Sequence, residues 1–380
     1  MIKRVVILGG GTGGLMVANR LARAVKEDGE GIHVEITLIA DAKRHLYQPG
    51  LLYVALGLSQ PSVYHRPQQS LLLPPVHLKE ASAERIDVEN HIVMLEGHEK
   101  IHYDYLVIAT GSHPDLDAIP GFRKGGHSFY TFAEAMQLRQ TLTTFEKGKL
   151  LMVVGVPHKC PVAPLEFLLM YEDMLRKNGK REGVELMYTY PIGRLHSLEP
   201  VADWAEGIFE QRGIESETFF NVETVDPSSR TVYTLEGEEV SYDLLVGIPP
   251  HRGAKVIRDS ELGDPDGWLP TDPKTLQMKG ASGVYVVGDA TDLPLSKAGS
   301  TAHYESDIVV QNLMHEMRGE PPLATYDGKV FCFIEGSTEA ATHITFDYHH
   351  PPTPALPSNT VHWFKLAFNQ MYWASLRGLV

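Results

Sequence analysis

The segment IKRVVILGGGTGGL, residues 2–15, constrains this chain more than any other stretch. A β-branched run over residues 3–8 leads into Gly9, Gly11 and Gly14 in GxGxxG spacing, and Leu15, Ala18, Leu21, Ala22 and Val25 then recur at helical intervals. A strand, a glycine turn and a helix in that order open a βαβ unit. Such a turn, here completed by Thr12 and Gly13, lets the backbone approach a pyrophosphate whose charge sits at the positive end of the helix. A second strand over 34–39 continues the unit, and Asp41 just beyond it is the candidate ribose ligand, with Ala40 where the acidic residue is more often found.

The same alternation of strand and helix continues along the chain. Strands are expected near 91–95 and 103–109, the latter ending in the ATG turn of Ala109, Thr110 and Gly111. A strand over 150–155 opens a second α/β unit, with a helix over 164–176 and strands near 185–188 and 243–247. GVYVVGDAT, residues 283–291, is again strand then turn, and the helix after it, over 302–317, runs into Gly319 and two prolines. Beyond 326 the pattern predicts strands around Cys332 and Phe346, a proline-rich break and an aromatic helix. A chain of 380 residues with 43% hydrophobic and 22% charged residues has room for two or three such domains. Its net charge of −14 and lack of any basic run argue against nucleic acid as the main partner. Two cysteines so far apart exclude a disulfide scaffold and a clustered zinc site.

The ATG turn at Thr110 and Gly111 and the late GD pair, Gly288 and Asp289, together with the first glycine turn, resemble the two-dinucleotide-domain flavoproteins along nearly the whole chain. That resemblance implies FAD, with Asp289 near its ribityl and pyrophosphate groups. It implies an α/β fold of two Rossmann-like dinucleotide-binding domains, as in glutathione reductase, plus a C-terminal membrane-contacting region. The expected division is 1–112 and 253–325 as the two parts of the FAD domain, 113–252 as the second domain and 326–380 as the C-terminal region. A nicotinamide-binding second domain should repeat the glycine fingerprint after its first strand. This chain instead reads Gly155, Val156, Pro157, His158, Lys159, Cys160, Pro161, and prolines and bulky side chains prevent a backbone from wrapping a pyrophosphate. NAD(P)H is therefore not the expected donor.

That turn, VPHKCPVAPLE, resembles the first cysteine motif of the sulfide:quinone oxidoreductases, with the flavocytochrome c sulfide dehydrogenase flavoprotein close behind. KVFCFIEGSTEAATHITFDY carries the second cysteine, Cys332, and PLSKAGSTAHYE matches the segment whose lysine, Lys297 here, lies at the isoalloxazine ring. The resemblance implies a redox pair of Cys160 and Cys332, with Cys332 on the flavin side and Cys160 carrying sulfur. It also implies a proton-transfer role for Glu166 and a match of His196 to a family histidine. Each residue has a plainer reading: inert buried thiols, a Glu166 that complements a helix N-terminus, a partly exposed His196 and a surface Lys297. His158, Lys159 and Lys297 are expected to hold hydrosulfide and lower the thiol pKa values. Some members attach FAD through a third cysteine near the position of Tyr130; none is present here, so FAD is expected without that thioether or through another attachment that the sequence does not show.

Quinone, the implied acceptor, is placed near Phe331, Phe333 and the C-terminal helix. There Trp363, Phe364, Phe368, Met371, Tyr372 and Trp373 fall largely on one side, a composition that suits a lipid headgroup boundary. No run is long enough to span a bilayer, and the chain opens on an apolar strand rather than a signal-like leader. The expectation is a monotopic protein on the cytoplasmic side of a membrane, with homo-oligomerisation left open. The rival readings are a sulfide dehydrogenase that passes electrons to a cytochrome, and a non-catalytic persulfide carrier or sensor.

Overall fold

In a parallel sheet covered on both faces, strands read as continuous apolar runs rather than as alternation. Lys3–Leu8 and Gly148–Val154 are such runs, and in the computed structural model, which describes residues 2–29 and 31–379, each is the central strand of a five-stranded parallel sheet. The first sheet has the order Val284–Val286, Tyr105–Ile108, Lys3–Leu8, Val34–Ala40, His77–Glu80. The second has the order Gly126–His127, Leu244–Ile248, Gly148–Val154, Val184–Tyr190, Glu215–Thr218. The chain leaves the first sheet through Ser112–Pro114 and returns through His251–Gly253, and these two crossings pair antiparallel. The return supplies Val284–Val286 to the edge of the first sheet and the helix Gly299–Met317, which packs beside the helix Thr12–Asp28 in one apolar core.

Several elements differ from expectation for local reasons. The helix expected from residue 302 starts at Gly299, because Gly299, Ser300 and Thr301 are weak helix formers that tertiary packing holds in place. The helix Glu199–Arg212, whose buried Val201, Ala202, Ala205, Ile208 and Phe209 recur at helical spacing, and the polar edge strand Glu215–Thr218 have no counterpart among the sequence expectations.

A hairpin of Val330–Glu335 with Ala341–Phe346 leads to the last helix, Asn359–Ser375, whose N-cap Ser358 accepts a hydrogen bond from the amide of Val361. This helix corrects the expected single aromatic side. Trp363 and Phe364 are 69% and 65% exposed and Phe368 and Met371 about half exposed, whereas Tyr372 and Trp373 are buried with His362 and Lys365. At about 100° per residue, 372 and 373 rotate onto the face that carries 362 and 365. Among the described residues, no helix is long and apolar enough to cross a membrane.

Candidate active site

The glycine turn between Leu8 and Thr12 is as tight as its sequence demands. Gly9 has φ +116°, and a Cβ there would lie 2.3 Å from the carbonyl oxygen of Ala109. A Cβ on Gly14 would lie 1.9 Å from the Gly9 oxygen, so the helix start touches the strand end directly, while Gly11 faces open space. Around this cradle stand the buried, unpartnered hydroxyl of Thr110, the open turn at Gly111 and Asp289, whose carboxylate accepts from Ser112 at 3.0 Å. A helix N-terminus, open glycine amides and an orphaned hydroxyl are what a dinucleotide pyrophosphate requires, so these residues fit FAD. Asp41 is exposed, with no hydrogen-bond partner among the described residues.

The second unit departs from this plan. Eight residues, 155–162, connect Val154 to the helix Ala163–Lys177, where three connect the corresponding elements of the first unit. Cys160 sits in this longer turn with φ +50°, a strained region for any residue but glycine. Three hydrogen bonds hold it there. Its amide donates to the Lys297 carbonyl at 2.8 Å, and its own carbonyl accepts from the Tyr130 hydroxyl at 3.1 Å and the Ala163 amide at 3.0 Å. Lys297 in turn donates its ammonium to the carbonyls of Asp289 and Thr291, at 3.0 and 2.8 Å, and lies 4.0 Å from the Trp268 ring centroid. One lysine thereby ties the GD turn to the cysteine turn.

Cys332 packs against the same core as Cys160, and both are free thiols. Burial pushes the Cys332 thiol up to about 12, with the Glu166 carboxylate adding to it and the Ser300 hydroxyl opposing. Burial also raises Cys160, helped by Glu166 and by Cys332 itself. This corrects the expectation of lowered thiol pKa values. The Lys159 ammonium is buried and donates to the Ser112 carbonyl at 3.0 Å, Lys297 is occupied as described, and the cation that does depress both thiols is Lys365.

Glu166, Cys160, Cys332 and Lys297 are thus drawn into one region, and the first of them anchors a buried polar cluster. Its carboxylate pairs with Lys365 and accepts the Glu335 amide at 2.8 Å. Glu335, fully buried, accepts from the Tyr53 hydroxyl at 2.6 Å, contacts His362 at 3.0 Å and lies 3.7 Å from Lys365. Burial makes Glu166 more basic than an ordinary carboxylate, although Lys365 opposes this. Burial works against the Lys365 charge, but Glu166, Tyr53 and Glu335 outweigh it and hold the ammonium protonated. Sequence reasoning missed Glu335, Tyr53, His362 and Lys365 as site residues. The available signal was the recurrence of polar positions 362, 365 and 369 on a helical stripe within an aromatic helix.

Phe331 and Phe333 flank Cys332 on its strand and meet edge to face at 4.8 Å, with Phe368 of the last helix 6.2 and 5.6 Å away. His196 is fully buried rather than partly exposed, because its Nδ1 accepts the Leu198 amide at 3.0 Å and turns the ring inward toward His158. A cavity of about 570 Å³ beside the cysteine turn is lined by His158, Pro161, Trp268, Leu295, Lys297 and Phe346, among others.

Burial depresses His45, His158 and His196 to about 4. Each therefore stays neutral in the fold at pH values where the unfolded chain, near 6.5, is already protonated. Stability present above pH 6.5 is lost as pH falls toward 4, on the order of 3 kcal/mol for each ring. Urea unfolding midpoints should drop steeply over that window, and a flat profile would contradict these burials.

The model of the pyridine nucleotide-disulphide oxidoreductase family matches residues 3–306, which takes in both sheets and the GD turn. The chain belongs to this family. Family membership makes it an oxidoreductase and implies flavin binding, in keeping with the cradle described above. Within the pyridine nucleotide-disulphide oxidoreductases, the chain is similar to the mitochondrial sulfide:quinone oxidoreductase of Mus musculus, at 26% identity over 365 residues, covering 93% of this chain and 80% of that protein. The crystal structure of the sulfide:quinone oxidoreductase from Aquifex aeolicus has the same fold, with a TM-score of 0.87 at 22% identity, covering 99% of this chain and 92% of that one. The resemblance to the sulfide:quinone oxidoreductases therefore runs the length of the chain. A further relative is the alternative NAD(P)H-ubiquinone oxidoreductase C1 of Arabidopsis thaliana, 25% identical over 399 residues, covering 88% of this chain and 74% of that protein.

Proposed function

We propose that this chain is a monotopic sulfide:quinone oxidoreductase that oxidises hydrosulfide to polysulfide or sulfur through Cys160 and Cys332. The observation that carries this reading is the meeting of two cysteines, distant in sequence, in one buried region where the second dinucleotide fingerprint would otherwise stand. The eight-residue turn, with Pro157 and Pro161 in it and the Pro250 ring against Gly155, supports a sulfur donor over a nicotinamide.

Attack by hydrosulfide sulfur on a Cys160–Cys332 disulfide forms a persulfide on Cys160 and expels the Cys332 thiolate. FAD, which the glycine turn, Thr110, Gly111 and Asp289 would hold, would supply two-electron redox chemistry between the thiolate and a quinone. Cys160 suits the sulfur-carrying role because its neighbours His158 and Pro161 line the cavity. Cys332 suits the flavin side because Ser300, its hydroxyl partner, lies in the first turn of the helix that follows the GD motif. A thiolate in this buried setting is costly, so a proton must be at hand, and the Glu166–Lys365 pair is the group placed to exchange one. Quinone reduction also consumes protons, and Phe331 and Phe333 face Phe368, which lies one turn beyond Lys365 on the last helix. The exposed stripe of Trp363, Phe364, Phe368 and Met371 would rest at the lipid headgroup boundary, bringing quinone within reach.

Anaerobic addition of sulfide should bleach the oxidised flavin band, and a soluble quinone should restore it. FAD should be released on denaturation, since no third cysteine is present to tether it. Bleaching by NADH with no response to sulfide would overturn the proposal.

A further inference from the structure

We propose that the C-terminal helix clamps the dinucleotide loop, so that FAD binding and the seating of this helix form one coupled equilibrium with Tyr372 as the positioning residue at the joint. The proposal rests on FAD occupying the glycine turn.

The Tyr372 hydroxyl lies 2.8 Å from Thr12 Oγ1, in the first turn of the helix Thr12–Asp28, and 2.6 Å from His45 Nε2. His45 Nδ1 lies 3.0 Å from the carbonyl oxygen of Gly10. A carbonyl only accepts, so Nδ1 carries the hydrogen and Nε2 is a lone pair. The direction of the whole relay follows: Thr12 O–H donates to Tyr372, Tyr372 O–H to His45, and His45 N–H to Gly10. Burial keeps His45 neutral, as this tautomer requires.

Gly10 is therefore held from the C-terminal helix as well as by Gln68, whose Nε2 donates to the same carbonyl at 2.8 Å. In a trans peptide the following N–H points opposite to the carbonyl. Anchoring the Gly10 oxygen thus aims the Gly11 amide the other way, at the turn where Gly11 borders open space. A donor aimed from a helix N-terminus is what fixes a phosphate.

The same helix and the turn that follows it are fastened to this unit at three further points. Asn19 donates to the Leu376 carbonyl at 2.7 Å, the Tyr47 hydroxyl to Asn369 at 2.5 Å, and Arg23 to the Arg377 carbonyl at 3.1 Å. Tyr372, Trp373 and Leu376 join the core that contains Leu15, Ala18 and Leu21. None of these contacts involves the cysteines. Linkage is reciprocal, so whatever FAD gains from a seated helix, the helix gains from bound FAD.

The test uses the full chain, FAD-stripped and FAD-loaded. In the parent protein FAD should slow amide hydrogen exchange across residues 359–376. Tyr372→Phe keeps the ring and removes the relay; it should weaken FAD affinity, read by titration of the stripped protein, by about tenfold and reduce the FAD-dependent protection. His45→Leu breaks the relay from its other end and should give both effects, so it decides the matter if Tyr372→Phe does not fold. Unchanged affinity and protection in the folded variants would overturn the coupling alone. A parent protein that takes up no FAD would overturn it together with the functional reading.

Discussion

Serine at Cys160 or at Cys332 is expected to slow sulfide-dependent flavin bleaching by about a thousandfold or more, while FAD content stays at the parent level. A hydroxyl can neither form the disulfide that hydrosulfide attacks nor carry the sulfur away, so each single substitution removes the whole route. Cofactor retention follows from the architecture. The cradle is built from residues 9–14, Thr110, Gly111 and Asp289; Cys160 is tied toward it through its backbone amide to the Lys297 carbonyl, which serine preserves, and Cys332 through the Ser300 hydroxyl, a partner that a serine hydroxyl can also meet. Serine is also smaller than cysteine by little enough that neither site need repack. Stopped-flow absorbance under anaerobic conditions, with flavin content measured on the same sample, checks both halves. A variant that bleaches at the parent rate would remove the cysteines from the mechanism.

The parts of this molecule that were legible in its sequence are those fixed by local backbone demands. Gly9 and Gly14 announce a strand-to-helix contact too close for a side chain, and the first sheet and its crossing to Val284–Val286 follow from that turn and the GD motif. The cysteine turn was legible because Pro157 and Pro161 stand where glycines should be. What stayed hidden depends on which way a helix face turns and on what lies across the core from it. Lys365 reads as a flanking charge of an aromatic helix until Glu166, from a helix about 200 residues earlier in the chain, is packed beside it. Glu335 reads as the end of a strand, and nothing local says that Tyr53 and His362 will meet it. His196 reads as a loop residue because its inward turn is set by the Leu198 amide, a contact of backbone geometry rather than of residue type.

Replacing Lys365 by Met is expected to cost about 3–5 kcal/mol of unfolding free energy, the usual penalty for removing one partner from a buried ion pair. The side chain is buried, and its ammonium compensates Glu166 directly and Glu335 at 3.7 Å. Methionine matches the aliphatic stem, so the loss comes from the stranded carboxylates and not from a cavity. Two further measurements separate this cause from poor packing. Without the ammonium, Glu166, already raised by burial, has its main opposing charge removed and its folded pKa rises further above the unfolded value. A group raised in this way destabilises the fold above its folded pKa and ceases to do so as pH falls toward the unfolded value. The gap between variant and parent in urea unfolding should therefore narrow from pH 8 to pH 5 (roughly the range over which such a carboxyl titrates). Adding Glu166→Gln to Lys365→Met should recover part of the loss at pH 8, because an amide needs no counter-charge. A loss that is independent of pH and untouched by the second substitution would mean that the pair contributes shape alone. The proton-exchanging role assigned to Glu166 would then lose its physical basis.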